Sequence, residues 1–165
     1  MEANPKLKLK LTILDYLIEI LGLLLFSSTW IFILSIYKSL PDIIPIHYNA
    51  FGTADNFGKK WMILSLPIVS TVLFIALTLL NYFPESFNYP TKINEDNALI
   101  QYTYATRLIR YLKLVIVFIF GILLYQTTRY PLNQNDGLGI WFLPLFLGLI
   151  FIPLIFYVLK SVKSK

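Results

Sequence analysis

The sequence predicts an all-α integral membrane protein, with four antiparallel transmembrane helices and a compact extracytoplasmic loop after the first. Three observations predict it. Of 165 residues, 57% are hydrophobic and only 14% are charged, whereas a soluble domain carries about 25% charge. The apolar residues gather in four long blocks, each near the ~20 residues a helix needs to cross a hydrocarbon core. The blocks also lack period-two alternation, which leaves helices and not a closed barrel as the spanning structure. No repeat or linker divides the chain, so residues 1–165 read as one domain.

The first block covers residues 11–37, with its continuous apolar part from residue 20. Lys6, Lys8 and Lys10 precede it, as in a signal peptide. The run is too long for one, and no small-residue cleavage site ends it, so it reads as a retained span. Asp15 and Glu19 lie four residues apart and share a helix face. Acids are costly in lipid, and the start of this block can sit among headgroups. Structural ion pairs with Arg107 and Arg110 are therefore expected, in preference to a proton relay. Ser27, Ser28 and Thr29 are expected to bond back to the helix backbone or to line a helix contact.

Residues 40–60, LPDIIPIHYNAFGTADNFGKK, form a polar interruption holding the one histidine of the chain. Pro41 and Pro45 donate no backbone hydrogen bond and push their predecessors toward extended geometry. Ile44, Ile46 and Tyr48 alternate with Pro45, His47 and Asn49, predicting an extended segment with one apolar side. Gly52 permits a positive-φ turn, and Gly58 is read the same way. Such a shape returns Asp55 to His47 or Asn49. Pro41, Asp42, Pro45, Gly52 and Gly58 are thus taken to shape the loop. His47, Asn49, Asp55 and Lys59 are its candidate ligand-binding residues. Lys59 and Lys60 also suit interfacial snorkels beside Trp61.

The remaining blocks are residues 61–83, 108–126 and 140–159. Pro67, Pro144 and Pro153 fall inside them as expected local kinks, which neighbouring membrane helices tolerate. Between the second and third blocks, Pro84 and Pro90 break the chain early. A polar start at residues 94–97, with Asn94 as N-cap, then predicts a helix leading into the third block. The last connection carries a turn signal at Asn135-Asp136-Gly137.

Orientation follows the lysines and arginines. With both termini inside, ten face the cytoplasm: Lys6, Lys8, Lys10, Lys92, Arg107, Arg110, Lys113, Lys160, Lys163 and Lys165. Lys38, Lys59, Lys60 and Arg129 face out, which is four. The loop at residues 40–60 is therefore expected outside a cytoplasmic membrane. The net charge of +5 is spread between spans, so nucleic acid is not an expected partner. The chain has no cysteine, which excludes disulfides, thiolate metal sites and cysteine nucleophiles. A His–Asp pair can orient a general base, but no serine neighbour completes a triad. One histidine is too few for zinc, and Asp42, Asn49 and Asp55 lack EF-hand spacing. No catalytic residue, metal or cofactor is expected.

The pattern Pro41-Asp42-x-x-Pro45-x-His47-Tyr48-Asn49-x-x-Gly52-x-x-Asp55-x-x-Gly58-Lys59 resembles the signature of a family of bacterial and archaeal membrane proteins. That family is called domain of unknown function 1648, and the likeness covers roughly residues 20–70. Phe87-Asn88-Tyr89-Pro90 and Glu95-x-Asn97 are similar to it as well. The resemblance implies a membrane protein of uncharacterised activity. The family includes Sdp-type immunity proteins, which are longer and protect a cell from its own secreted toxic peptide, so immunity or peptide sensing enters by analogy. The expected function is recognition of a peptide, lipid or membrane-protein partner at the outer face of the bilayer. The competing class is a small subunit of a membrane transporter or membrane enzyme. Four helices with few intramembrane charges leave little material for a solute path, unless the chain forms a homo-oligomer.

Overall fold

The computed structural model describes residues 4–130 and 137–164. Asn135 and Asp136 of the expected turn, and Lys165 of the basic count, lie outside these residues. Four helices form the body: α1 (Ile13–Ile36), α2 (Ser65–Leu80), α3 (Ala98–Arg129) and α4 (Phe142–Lys163). A hairpin of β1 (Ile43–Tyr48) and β2 (Ala54–Lys59) joins α1 to α2, and a 3-10 turn at Lys60–Leu64 leads into α2. All four helical segments are long and apolar enough to cross a membrane. Their outward faces are the lipid-facing surface of an all-α membrane bundle, with Leu24, Ile31, Leu34, Ile152 and Phe156 all more than half exposed.

α1 starts at a reciprocal cap. The Asp15 N–H donates to Thr12 Oγ1 at 3.4 Å and the Thr12 N–H donates to Asp15 Oδ2 at 2.7 Å, satisfying two otherwise orphan amides. Ser28 and Thr29 donate to the carbonyls of Leu24 and Leu25. Thr29 also faces Gly121, where a Cβ would stand 3.6 Å from Thr29 Oγ1. α1 and α2 meet through the Phe26–Phe74 stack at 4.9 Å and the Trp30 indole N–H donating to Thr71 Oγ1 at 3.0 Å.

α3 is the axis of the bundle: α1, α2 and α4 all pack on it. The predicted lead-in helix and the third apolar block fuse into this one 32-residue helix, which begins just after the polar start. At 1.5 Å per residue it is about 48 Å long, against a core of about 30 Å, so α3 projects beyond the layer. Its N-cap is Asn97, not Asn94. Each asparagine Oδ1 accepts the backbone N–H of the other, at 2.9 and 3.0 Å. Both oxygens are thereby spent on the turn before the helix. α4 joins α3 through Gln101, whose amide N–H donates to the carbonyls of Ser161 and Ser164 at 2.9 Å each.

Two of the three expected proline kinks are corrected. Pro67 and Pro144 fall in the first turns of α2 and α4, where no intrahelical partner is lost. Pro153 alone of the three sits in a helix interior.

Candidate functional site

The hairpin lies across one end of the bundle. Ile44 is fully buried and joins Ile33, Leu40, Ile63 and Leu124 in a core cluster. The strands are antiparallel, pairing Ile44 with Gly58 and Pro45 with Phe57, and the register shifts on both sides of His47. This irregularity breaks the expected alternation. Ile44 and Pro45 are both buried, while Ile46 and His47 are both exposed, and between Pro45 and His47 a bulge sets an extra β1 residue against β2.

Asn49 builds the turn. Its Oδ1 accepts the N–H groups of Phe51 and Thr53 at 3.0 and 3.1 Å, an Asx arrangement. This oxygen is therefore committed to the loop. Gly52 follows at φ +77°, as its position requires. Gly52 is also buried, because the turn docks backbone to backbone on the segment before α4. The Leu138 N–H donates to the Gly52 carbonyl at 2.7 Å. A Cβ on Gly52 would lie 2.5 Å from the Gly139 nitrogen, and one on Gly137 would strike the Gly52 carbonyl oxygen. Gly58 does not have positive φ, correcting that expectation. Its Cβ would come within 2.8 Å of Met62 Sδ and 2.9 Å of Ile46 Cδ1, so the position serves close packing.

The base of the hairpin is tied by Lys60. Its ammonium lies 3.2 Å from Asp42 Oδ1 and donates to the Leu40 carbonyl at 3.3 Å. Lys60 thus closes the loop and does not snorkel outward. Tyr48 fixes the hairpin to α3, its hydroxyl 3.1 Å from Thr127 Oγ1, and burial pushes the Tyr48 phenol above its ordinary pKa. Phe57 packs against Tyr130 at 5.6 Å.

Between hairpin and bundle lies a cavity of about 390 Å³. Ile46, Met62, Leu66 and Phe142 give it apolar walls, while His47 and Tyr48 contribute polar groups. His47 Nδ1 stands 2.5 Å from Asp55 Oδ1, and both side chains are solvent-accessible. Among the sequence-derived candidates, His47 and Asn49 line the cavity, and Asp55 reaches it through His47. Lys59 is exposed on β2 opposite Ile43 and is not a lining residue. Tyr48, Thr127 and the Gly137–Gly139 seam were not among the candidates; paired glycines beside a turn signal were the available cue.

At the opposite end, Arg107 Nε donates to Asp15 Oδ1 at 3.0 Å. Glu19 is 3.3 Å from Arg110 Nε and 2.6 Å from Lys113 Nζ. The charge count treats Lys113 only as a cytoplasmic cation. It is 1% exposed, donates to Thr78 Oγ1 at 2.9 Å and lies over the Phe74 ring at 4.7 Å. Arg107, Arg110 and Lys113 follow one another at intervals of three residues, which places the three cations along adjacent turns of α3. Among the described residues, no three His, Asp or Glu side chains converge as a metal site.

Residues 23–71 match the model of a family described as a domain of unknown function, DUF1648. The matched region contains α1 from residue 23 onward, the whole hairpin and the start of α2. An uncharacterized protein of Archaeoglobus fulgidus is 31% identical over 78 residues, covering 42% of this chain and 43% of that relative. The chain thus spans less than half the length of the curated relative it matches. No solved structure matches.

Proposed function

We propose that the protein recognises an amphipathic partner, a peptide, a lipid or a segment of another membrane protein, in the cavity beneath the hairpin at the outer membrane face. The observation that carries this reading is the cavity itself. Its volume falls in the ordinary range for ligand pockets, and such pockets combine apolar walls with a few placed polar groups. The hairpin roof is held by the Gly52 seam, the Tyr48–Thr127 contact and the Lys60 clasp, so the cavity is built before any partner arrives. That lowers the ordering cost of binding. The excess of basic residues at the other end supports an outward-facing hairpin. Immunity or peptide sensing is the analogy that the family resemblance supplies.

Native mass spectrometry of the protein purified from its own membranes tests the proposal. Wild type is expected to retain a bound species whose mass identifies it as peptide or lipid. Leu66→Trp, which fills the cavity, is expected to lose that species, while Ile152→Trp on the lipid-facing side of α4 keeps it. His47→Ala, which removes a lining residue, is expected to weaken retention about tenfold, equivalent to one contact of ~1.4 kcal/mol, while Lys59→Ala, outside the lining, leaves it unchanged. Identical bound species in wild type and Leu66→Trp would remove the cavity from the proposal.

A further inference from the structure

A second cavity, of about 710 Å³, lies at the other end of the bundle between α1, α2 and the amino-terminal segment. That segment is pinned across the helix ends. The Asn4 side-chain amide donates to the Glu85 carbonyl at 2.9 Å, and the Tyr102 hydroxyl donates to the Pro5 carbonyl at 2.9 Å. Exposed Lys6 and Lys8 are thereby placed on the cavity wall. Deeper in, Arg110 is 6% exposed and also lines the cavity. Its Nε lies 3.3 Å from Glu19 Oε1 yet makes no hydrogen bond. Both side-chain polar atoms of Asn81, another lining residue, are buried without a hydrogen-bond partner. Unsatisfied buried polar groups are costly, and native structures keep few of them.

The charge balance points the same way. The ion pairs at this end join three cations, Arg107, Arg110 and Lys113, with two acids, Asp15 and Glu19. The cations of these pairs outnumber the acids by one, and Arg110 and Lys113 among them are buried, where charge is expensive. Counting the cavity wall, Lys6, Lys8 and Arg110 face Glu19 and Glu85, again one positive in excess. An oxyanion would cancel that excess, offer acceptors to the Arg110 guanidinium and the Asn81 amide, and meet two lysines at the mouth. Leu7, Leu9 and Leu11 supply apolar wall for whatever carries it.

We propose that this cavity binds a phosphate-bearing anion, with Arg110 and Asn81 at its floor and Lys6 and Lys8 at its mouth. Phosphate suits a guanidinium and ammonium set. It can arrive on a lipid headgroup or free in solution.

The test is thermal melting of the full-length protein in neutral detergent with phosphatidylglycerol, phosphatidylcholine or inorganic phosphate. Phosphatidylglycerol is expected to raise the melting temperature and phosphatidylcholine to raise it far less. The apparent affinity for phosphatidylglycerol is expected to fall about tenfold in Lys6→Gln/Lys8→Gln and in Asn81→Leu, neither of which breaks a salt bridge. A rise with inorganic phosphate equal to that with phosphatidylglycerol identifies a free anion as the source, and a rise with the lipid alone identifies a headgroup; both keep the assignment. Equal rises with the two lipids overturn it. So does a loss confined to Lys6→Gln/Lys8→Gln, which would place the phosphate on the amino-terminal segment and outside the cavity.

Discussion

Glu19→Gln is expected to be the most damaging single substitution in the chain. It removes the acid from two buried cations, Arg110 at 8% and Lys113 at 1% side-chain exposure. Breaking one side of a buried pair costs about 3–5 kcal/mol, because the abandoned charge stays buried. For a chain of this size that corresponds to a melting temperature lower by about 10 °C. Adding Lys113→Met to Glu19→Gln is expected to restore part of the loss, since an apolar side chain of similar length leaves one charge fewer to compensate. Asp15→Asn is expected to cost less, about 1–2 kcal/mol, because Arg107 is partly exposed and can turn to water. Melting of the purified variants in one detergent ranks the three. Glu19→Gln melting with wild type would show that Glu19 does not hold the two cations.

Gly52→Val is the second large effect. A β-branched residue at φ +77° is strained by at least about 1–2 kcal/mol, and its Cβ would collide with the Gly139 backbone, which cannot swing aside. The expected result is a hairpin tip lifted from the segment before α4, loss of the Leu138–Gly52 hydrogen bond, and reduced abundance. Gly148→Ala is the control. Gly148 lies inside α4, and a Cβ there would meet only Ile152 Cδ1 at an ordinary 3.7 Å. It should leave stability unchanged or raise it by up to about 1 kcal/mol. If Gly52→Val and Gly148→Ala behaved alike, the glycine seam would carry no weight in the fold.

These two sites differ in how far they can be read from the sequence. Gly52 is legible as a turn, because glycine in a local Asn-x-x-Gly pattern between extended residues permits positive φ. Its docking on Gly139 is not, since the contact joins segments far apart in the chain and has no local signature. The four spans are legible from apolar length alone. The ends of α2 and α4 are less so, because a proline in the first turn and one in the interior look identical in a hydropathy profile. Asp15 and Glu19 announce themselves as acids in an apolar run. Lys113 does not, because a lysine near a span end is ordinarily a topological signal, and only the packing of α1 and α2 around α3 turns it into a buried partner. His47 and Asp55 are brought together by the turn, whereas the bulge beside His47 follows from pairing across the strands.

In the proposed orientation the hairpin and its cavity face outward while residues before α1 and after α4 face the cytoplasm. The native chain has no cysteine, so single substitutions report cleanly. Thr53→Cys at the exposed hairpin tip and Ser164→Cys after α4 are to be treated in intact cells with a membrane-impermeant thiol reagent. Labelling of Thr53→Cys, with Ser164→Cys labelled only after lysis, is the predicted result. Labelling of Ser164→Cys in intact cells with Thr53→Cys protected would place the hairpin cavity inside the cell and contradict the proposed outward-facing site.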